Sequence, residues 1–350
     1  MTIITAGMTG AQFINALNNN LNYYNILHYG AVGNDSTDNT TAIQNAINAA
    51  AVSGGTVYVP AGIFKTNKLT TYYNVRILGD GEASVLKSIG ATVMIESLYN
   101  DFTTGNGEPN GGLENIYLFG NSVGTIGYNT RKIYSIRLKN VYISHFTTGI
   151  VFDGSLIGIV RDCLIYNNIT GIHAQINGAT PSPNLVTVDN CRFMSNTTHA
   201  INWTDGSMIK LRDCDFELNG TNGNAATGSI YFKNNEASLG HIPSLLLDGC
   251  WFEQNLGTEI YIAESSGSAK NLNVIQNCHM VSTGTEEAIH LVGTNDENKL
   301  ILRSSNIQDL NGITADGQYA TIINDNSFVG GTITQSNSAK LYNVDITEVI

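Results

Sequence analysis

Through most of the chain, apolar and polar residues alternate with period two over short runs, and the runs are bounded by Gly, Asn, Asp or Ser. Such runs predict strands with one buried face rather than helices. They recur in a fixed order. "VRDCLIYNN" (160–168), "VDNCRFMSN" (188–196), "LRDCDFELN" (211–219), "LDGCWFEQN" (247–255) and "IQNCHMVST" (275–283) share one pattern, with all five cysteines in its fourth position. "LENIYLFGN" (113–121), "LKNVYISHF" (138–146) and "LRSSNIQDL" (302–310) put Ile116, Val141 and Ser305 there. The position therefore selects a small or apolar side chain, not sulfur chemistry. A strand-like tetrad follows each phrase, as in "GIVF" (149–152), "GIHA" (171–174), "AINW" (200–203), "SIYF" (229–232), "EIYI" (259–262) and "AIHL" (288–291). A turn comes next, then a third alternating run such as "LVTV" (185–188) or "MIKL" (208–211).

Each repeat, 22 to 36 residues long, thus carries three short strands, and no helix-length pattern interrupts residues 113–340. A period of this size marks a solenoid. The predicted fold is all-β, a single-stranded parallel β-helix with three strands per coil. Stacking puts Cys163, Cys191, Cys214, Cys250 and Cys278 in one internal column and Phe193, Phe216 and Phe252 in another. The Asn or Asp before the cysteine position marks a bend, because these residues tolerate left-handed backbone.

The N-terminal end of the stack needs a cover. Residues 35–50 supply a capping helix with Ile43, Ala46, Ile47 and Ala50 on its apolar face and Asp38 or Asn39 as its cap. "GG" (54–55) ends it and "TVYVP" (56–60) begins the first strand. Residues 9–24 form a separate amphipathic helix, with a Thr9/Gln12 capping box and Phe13, Leu17 and Leu21 on one face. The chain therefore divides into residues 1–25, for docking or oligomerisation, and the β-helix of 26–350.

"NILHYGAVGNDSTDNTTAIQNAINAAAVSGGTVYVPAGIFKT" (25–66) and "VRILGDGEASVLKS" (75–88) resemble the N-terminal part of the pectate-lyase-like right-handed β-helix superfamily. "NDSTDNT" stands where that family usually has "DGxTDDT". The resemblance implies a right-handed coil. It also implies one of the family's activities or roles: polysaccharide lyase, polygalacturonase-like hydrolase, or bacteriophage tail spike or fibre. "NWTDG" (202–206) only half matches the "NTD" of the polygalacturonase-like branch, there is no Asp-Asp pair, and "LGHIP" (239–243) is not its "GHG". The calcium-binding acids and catalytic arginine of pectate lyases are not recognisable either. Pectin cleavage is not expected.

Composition narrows the partners. The net charge is −12, which disfavours nucleic acid and anionic membrane surfaces. A polyanionic ligand would be repelled unless met by a local basic patch. No signal peptide and no apolar run of membrane-spanning length is seen, so no membrane insertion is expected. The odd number of cysteines has no zinc spacing and reads as buried, reduced thiols. Lone histidines do not make a metal site, and no cofactor is expected.

Two outward columns carry candidate chemistry. Asp215 and Glu217 point out between the inward Cys214 and Phe216, and Trp251 and Glu253 occupy the same outward positions one coil on. Glu217 and Glu253 are then cross-coil neighbours, with Cβ atoms roughly 5 Å apart, near the carboxyl spacing of retaining glycosidases. Trp251 beside them suits stacking on a sugar ring. These acids are the candidate catalytic group, and a solvated acidic face is the alternative. The tetrads supply the second column, Val151, His173, Asn202, Tyr231, Tyr261 and His290. It reads as a candidate glycan-binding surface or as ordinary strand composition. Loops 218–228 and 254–258 separate the columns, so one groove could use both.

The resemblance, with the short helix and the acidic, Asn-rich chain, implies a phage tail-spike-like or tail-fibre-like virion protein. By it, a homotrimer docks through residues 1–25 on other tail proteins and binds a bacterial surface polysaccharide, and whether it also cleaves that polysaccharide is left open. A non-catalytic adsorption protein of the tail and a free polysaccharide lyase or glycoside hydrolase are the alternatives.

Overall fold

A computed structural model describes residues 7–10, 12–13, 22–98, 111–176, 182–233, 244–263, 271–281, 286–293, 297–308 and 311–344. It is a parallel β-solenoid. Strands Val186–Asp189, Arg192–Met194 and His199–Trp203 pair in parallel with Met208–Arg212, Asp215–Glu217 and Gly228–Phe232 of the next coil. A 23-stranded sheet carries the first two strands of the coils and an 11-stranded sheet carries the third. Among the described residues no helix is long and apolar enough to cross a membrane.

The bend between the first two strands is the Asn or Asp before the cysteine position. Asn115, Asn140, Asp162, Asn190, Asp213 and Asn277 all have φ between 50° and 56°, and Gly249 takes the same place at φ 68°. Short polar side chains adopt this left-handed conformation at little cost. In Arg137–Ser144 the two strands are still one, and its halves pair separately with Ile159–Arg161 and Leu164–Tyr166.

The interior is built in columns. All five cysteines are free and buried, and each Sγ faces the carbonyl two residues earlier, 3.1 Å from Arg161 O in the case of Cys163. Phe193, Phe216 and Phe252 stack nearly parallel, with centroids 5.0 and 4.6 Å apart. Burial of a side chain this size is worth roughly 1.5–3 kcal/mol.

A third column was not anticipated. Asn168, Asn196, Asn219 and Asn255, each in the ninth position of the repeated phrase, are buried. Asn219 Nδ2 donates to Phe193 O at 2.9 Å and to Asn255 Oδ1 at 3.0 Å, and Asn196 Nδ2 donates to Asn219 Oδ1 at 2.9 Å. A buried amide is tolerated only when its donors and acceptor are satisfied in this way.

At the N-terminal end, helix Thr40–Ala51 buries Ile43, Ala46, Ile47 and Ala50, as its periodicity predicts. It starts later than residue 35 because Asn34–Asp38 is a strand paired to Ile63 and Lys65. Asp38 Oδ1 accepts from the Thr40 N–H at 2.9 Å, while the Asn39 amide turns back to Val32 and Thr37. The first strand is Tyr23–Asn25, not the run at 56. It pairs with Thr56–Tyr58 and takes Tyr23 and Tyr24 from the expected helix of 9–24. The Thr9/Gln12 capping box is present, with Thr9 N donating to Gln12 Oε1 at 2.9 Å. Leu17, Leu21 and the "LGHIP" stretch lie outside the described residues.

Candidate functional site

The second strands of the coils present two outward columns. Register aligns Tyr117, Tyr142, Leu164, Arg192, Asp215, Trp251 and His279 in one. Phe119, Ser144, Tyr166, Met194, Glu217, Glu253 and Val281 form the other. Glu217 therefore lies opposite Glu253, as the repeat predicts, and Asp215 lies opposite Trp251. Strand spacing holds such neighbours ~4.8 Å apart at the backbone.

Two side chains bind this acidic group directly, and a third packs on one of them. Arg192, one coil earlier, places Nε 3.0 Å from Asp215 Oδ2 and Nη2 3.4 Å from Glu217 Oε2. Trp251 Nε1 donates to Glu253 Oε2 at 3.2 Å. The Trp251 ring stacks on His279 with centroids 4.2 Å apart. Trp251 is still 45% exposed, so its outer face is open to a ligand. The expected bare pair of glutamates is thus a carboxylate cluster fixed by a guanidinium below and an indole above.

Further along the same columns is an aromatic group that sequence reasoning missed. The Tyr117 hydroxyl lies 2.8 Å from Ser144 Oγ and 2.9 Å from the Tyr166 hydroxyl. Ser144 Oγ lies 2.8 Å from His145 Nδ1, and Phe119 packs edge-on against the His145 ring at 5.0 Å. Burial pushes the Tyr117 phenol above its ordinary pKa, despite the opposing bond from Ser144. The signal was available: Tyr117, Phe119, Ser144 and Tyr166 fill the fifth and seventh positions of the early copies, where Asp215 and Glu217 stand later, and His145 follows Ser144.

The tetrad column is also a true column. Val151, His173, Asn202, Tyr231, Tyr261 and His290 are in consecutive register. Tyr231 and Tyr261 stack at 5.2 Å with planes 4° apart, and Tyr261 packs on His290 at 5.0 Å. Burial lowers the His173 pKa and raises that of Tyr231. The hydrogen bond from His290 holds the Glu287 carboxyl below its ordinary range. Val151 is buried and offers no ligand contact. His173, Tyr231, Tyr261 and His290 sit on the 11-stranded sheet, whereas Asp215, Glu217, Trp251 and Glu253 sit on the other. The candidate residues therefore form two groups, each internally contiguous.

Residues 23–111 match the family described as rhamnogalacturonase A/epimerase, pectate lyase-like. A mannuronan C5-epimerase of Azotobacter vinelandii is 37% identical over 113 residues, covering 28% of this chain and 8% of that protein. The match thus spans less than a tenth of that relative. Across the whole solenoid, the ORF18 protein of Geobacillus virus E2 superposes with a TM-score of 0.64 at 18% identity, covering 99% of this chain and 66% of that one. The tail-spike protein of the Acinetobacter baumannii bacteriophage Fri1 is a capsular polysaccharide depolymerase. It superposes with a TM-score of 0.59 at 13% identity, covering 91% of this chain and 63% of its own. The pectate-lyase-like resemblance of residues 25–88 therefore falls within the residues that match this family.

Proposed function

We propose that this chain is a phage tail-spike-like protein that binds a bacterial surface polysaccharide along the outward columns of the second strands, and cleaves it at Glu217 and Glu253. One observation carries the reading. Along the solenoid the carboxylate cluster is preceded by the aromatic group Tyr117, Tyr142 and Tyr166, and its far end, Glu253, shares a strand with Trp251. From Tyr142 to Trp251 the register advances four coils, about 19 Å at ~4.8 Å per coil. An extended sugar chain lying along the axis meets rings at both ends, with Asp215 and Glu217 between them and Glu253 level with Trp251. Aromatic faces pack on the apolar face of a pyranose, and carboxylates accept from its hydroxyls.

The fold neighbours support the same reading, since one of them is a capsular polysaccharide depolymerase and the partial relative is an epimerase of a polysaccharide. In this reading Asp215 positions the glycan, Trp251 stacks on it, and His173, Tyr231, Tyr261 and His290 form an additional contact surface on the neighbouring sheet. Residues 1–25 dock on other tail proteins, and the protein acts as a homotrimer in the virion tail.

A non-catalytic adsorption protein is the second reading. Arg192 favours it, because a guanidinium shared by Asp215 and Glu217 is what a purely structural charge cluster also needs. A reducing-end assay on purified host capsule separates the two, with wild type run beside Glu217→Gln and Glu253→Gln. New ends that vanish in both variants support cleavage at this site. Retained capsule binding with no ends from wild type replaces the enzyme by the adsorption protein.

A further inference from the structure

The first strands of the N-terminal coils line a cavity of about 670 Å³ whose lining includes Arg76, Gly112, Glu114, Arg137 and Lys139. We infer that it is a second binding site, for the carboxylate of an acidic sugar. Gly112 lies in register with Arg76 on one side and Arg137 on the other. It has φ +142°, and a Cβ there would meet Arg137 O at 1.8 Å, so only glycine fits. No side chain therefore stands between two arginines whose backbones are roughly 10 Å apart.

Glu114 neutralises only part of the charge. Its Oε2 lies 3.2 Å from Arg76 Nη1 and its Oε1 3.6 Å from Lys139 Nζ. Arg137 has no carboxylate within ion-pair distance among the described residues. Three cations against one carboxylate leave a local excess of positive charge in a chain of net charge −12. This is the local basic patch that a polyanionic ligand requires. Guanidinium forks match carboxylate geometry with paired hydrogen bonds. The volume is that of a small-molecule site rather than a single ion, within the usual ~300–1,000 Å³. Ser53, Thr56 and Asn74 line the same cavity and offer neutral partners for sugar hydroxyls.

The saccharide part of this assignment rests on the function proposed above, whereas the anion part does not. Isothermal titration of the full chain with a short uronic-acid oligosaccharide, its methyl ester and inorganic sulfate tests both. The free acid is expected to bind, the ester not, and Arg137→Gln to weaken binding roughly tenfold while Arg137→Lys keeps part of it. Affinity should fall with added salt. Equal binding of acid and ester, or no change in Arg137→Gln, overturns the site. Sulfate binding as tightly as the oligosaccharide overturns the sugar assignment. Arg137-dependent uronate binding by a protein that leaves host capsule untouched sustains this site and removes only the earlier reading. Arg137 is exposed, so its variants should keep the fold, which a circular dichroism spectrum checks.

Discussion

The indole N–H of Trp251 donates to Glu253 Oε2 at 3.2 Å while the same ring lies on His279 with centroids 4.2 Å apart. An exposed tryptophan is thus held from two sides, and a sugar that stacks on it finds the ring already in place. Trp251→Ala should weaken oligosaccharide binding roughly 2- to 10-fold, the worth of an aromatic contact. Trp251→Phe keeps a ring but removes the hydrogen bond to Glu253. It should recover most of the binding and leave turnover reduced. Titration calorimetry and reducing-end rates on the same preparations check this.

Arg192 bridges Asp215 and Glu217, and its side chain is 54% exposed. Half-exposed pairs are screened by water and salt, so Arg192→Gln should change stability by only about 1 kcal/mol or less. If the cluster serves the glycan, turnover or affinity should fall by much more than stability does. Urea unfolding and binding measured side by side separate the effects. Equal, small losses in both would make the bridge purely structural.

Much of the fold was legible because a solenoid repeats its evidence. The cysteine position, the phenylalanine stack and the bend residue each recur in coil after coil, and each proved to be one column of the structure. Glu217 opposite Glu253 followed from the same counting. Arg192, His279, Tyr117 and Ser144 stand in the fifth and seventh positions of other copies, so their columns were equally visible, but which of these side chains touch depends on rotamers that the repeat does not set. Other features were beyond pattern. The buried asparagine ladder looks like turn composition, because a polar residue after a strand usually faces water. The Arg76–Gly112–Arg137 alignment depends on which coil lies over which, and the sequence between Arg76 and Gly112 has no repeat phrase to set that register. Tyr23–Asn25 became a strand because its backbone is hydrogen-bonded to Thr56–Tyr58, a tertiary contact that outweighs local helix periodicity.

The asparagine ladder should be far less tolerant than the cysteine column. Asn219→Ala strands the Asn196 amide donors and Phe193 O away from water, which should cost about 3 kcal/mol or more. Cys214→Ser should cost only about 1 kcal/mol, because a hydroxyl fits the slot and finds an acceptor. Ser305 already does so, donating to Arg303 O at 3.0 Å. Urea midpoints of the two variants check the order. A serine variant as damaging as Asn219→Ala would show that the thiol column needs sulfur after all.

His199 gives the solenoid an acid-side weakness. Burial lowers its pKa to about 4 from the ordinary 6.5, despite the bond of Nε2 to Ala226 O at 3.1 Å and with a smaller lowering contribution from His173. The unfolded chain therefore binds a proton near pH 6.5 that the folded chain refuses until about pH 4. Above pH 6.5 both states are neutral and His199 contributes no penalty. As pH falls through this window the unfolded state gains the proton first, and stability drops by on the order of 3 kcal/mol in total. Melting temperatures of wild type should fall between pH 7 and pH 4.5, more steeply than those of His199→Gln. A residual slope in the variant is expected from His173, whose pKa burial also lowers. Parallel curves for the two proteins would mean that His199 is hydrated or charged in the folded state, and that its column is open to solvent at that coil.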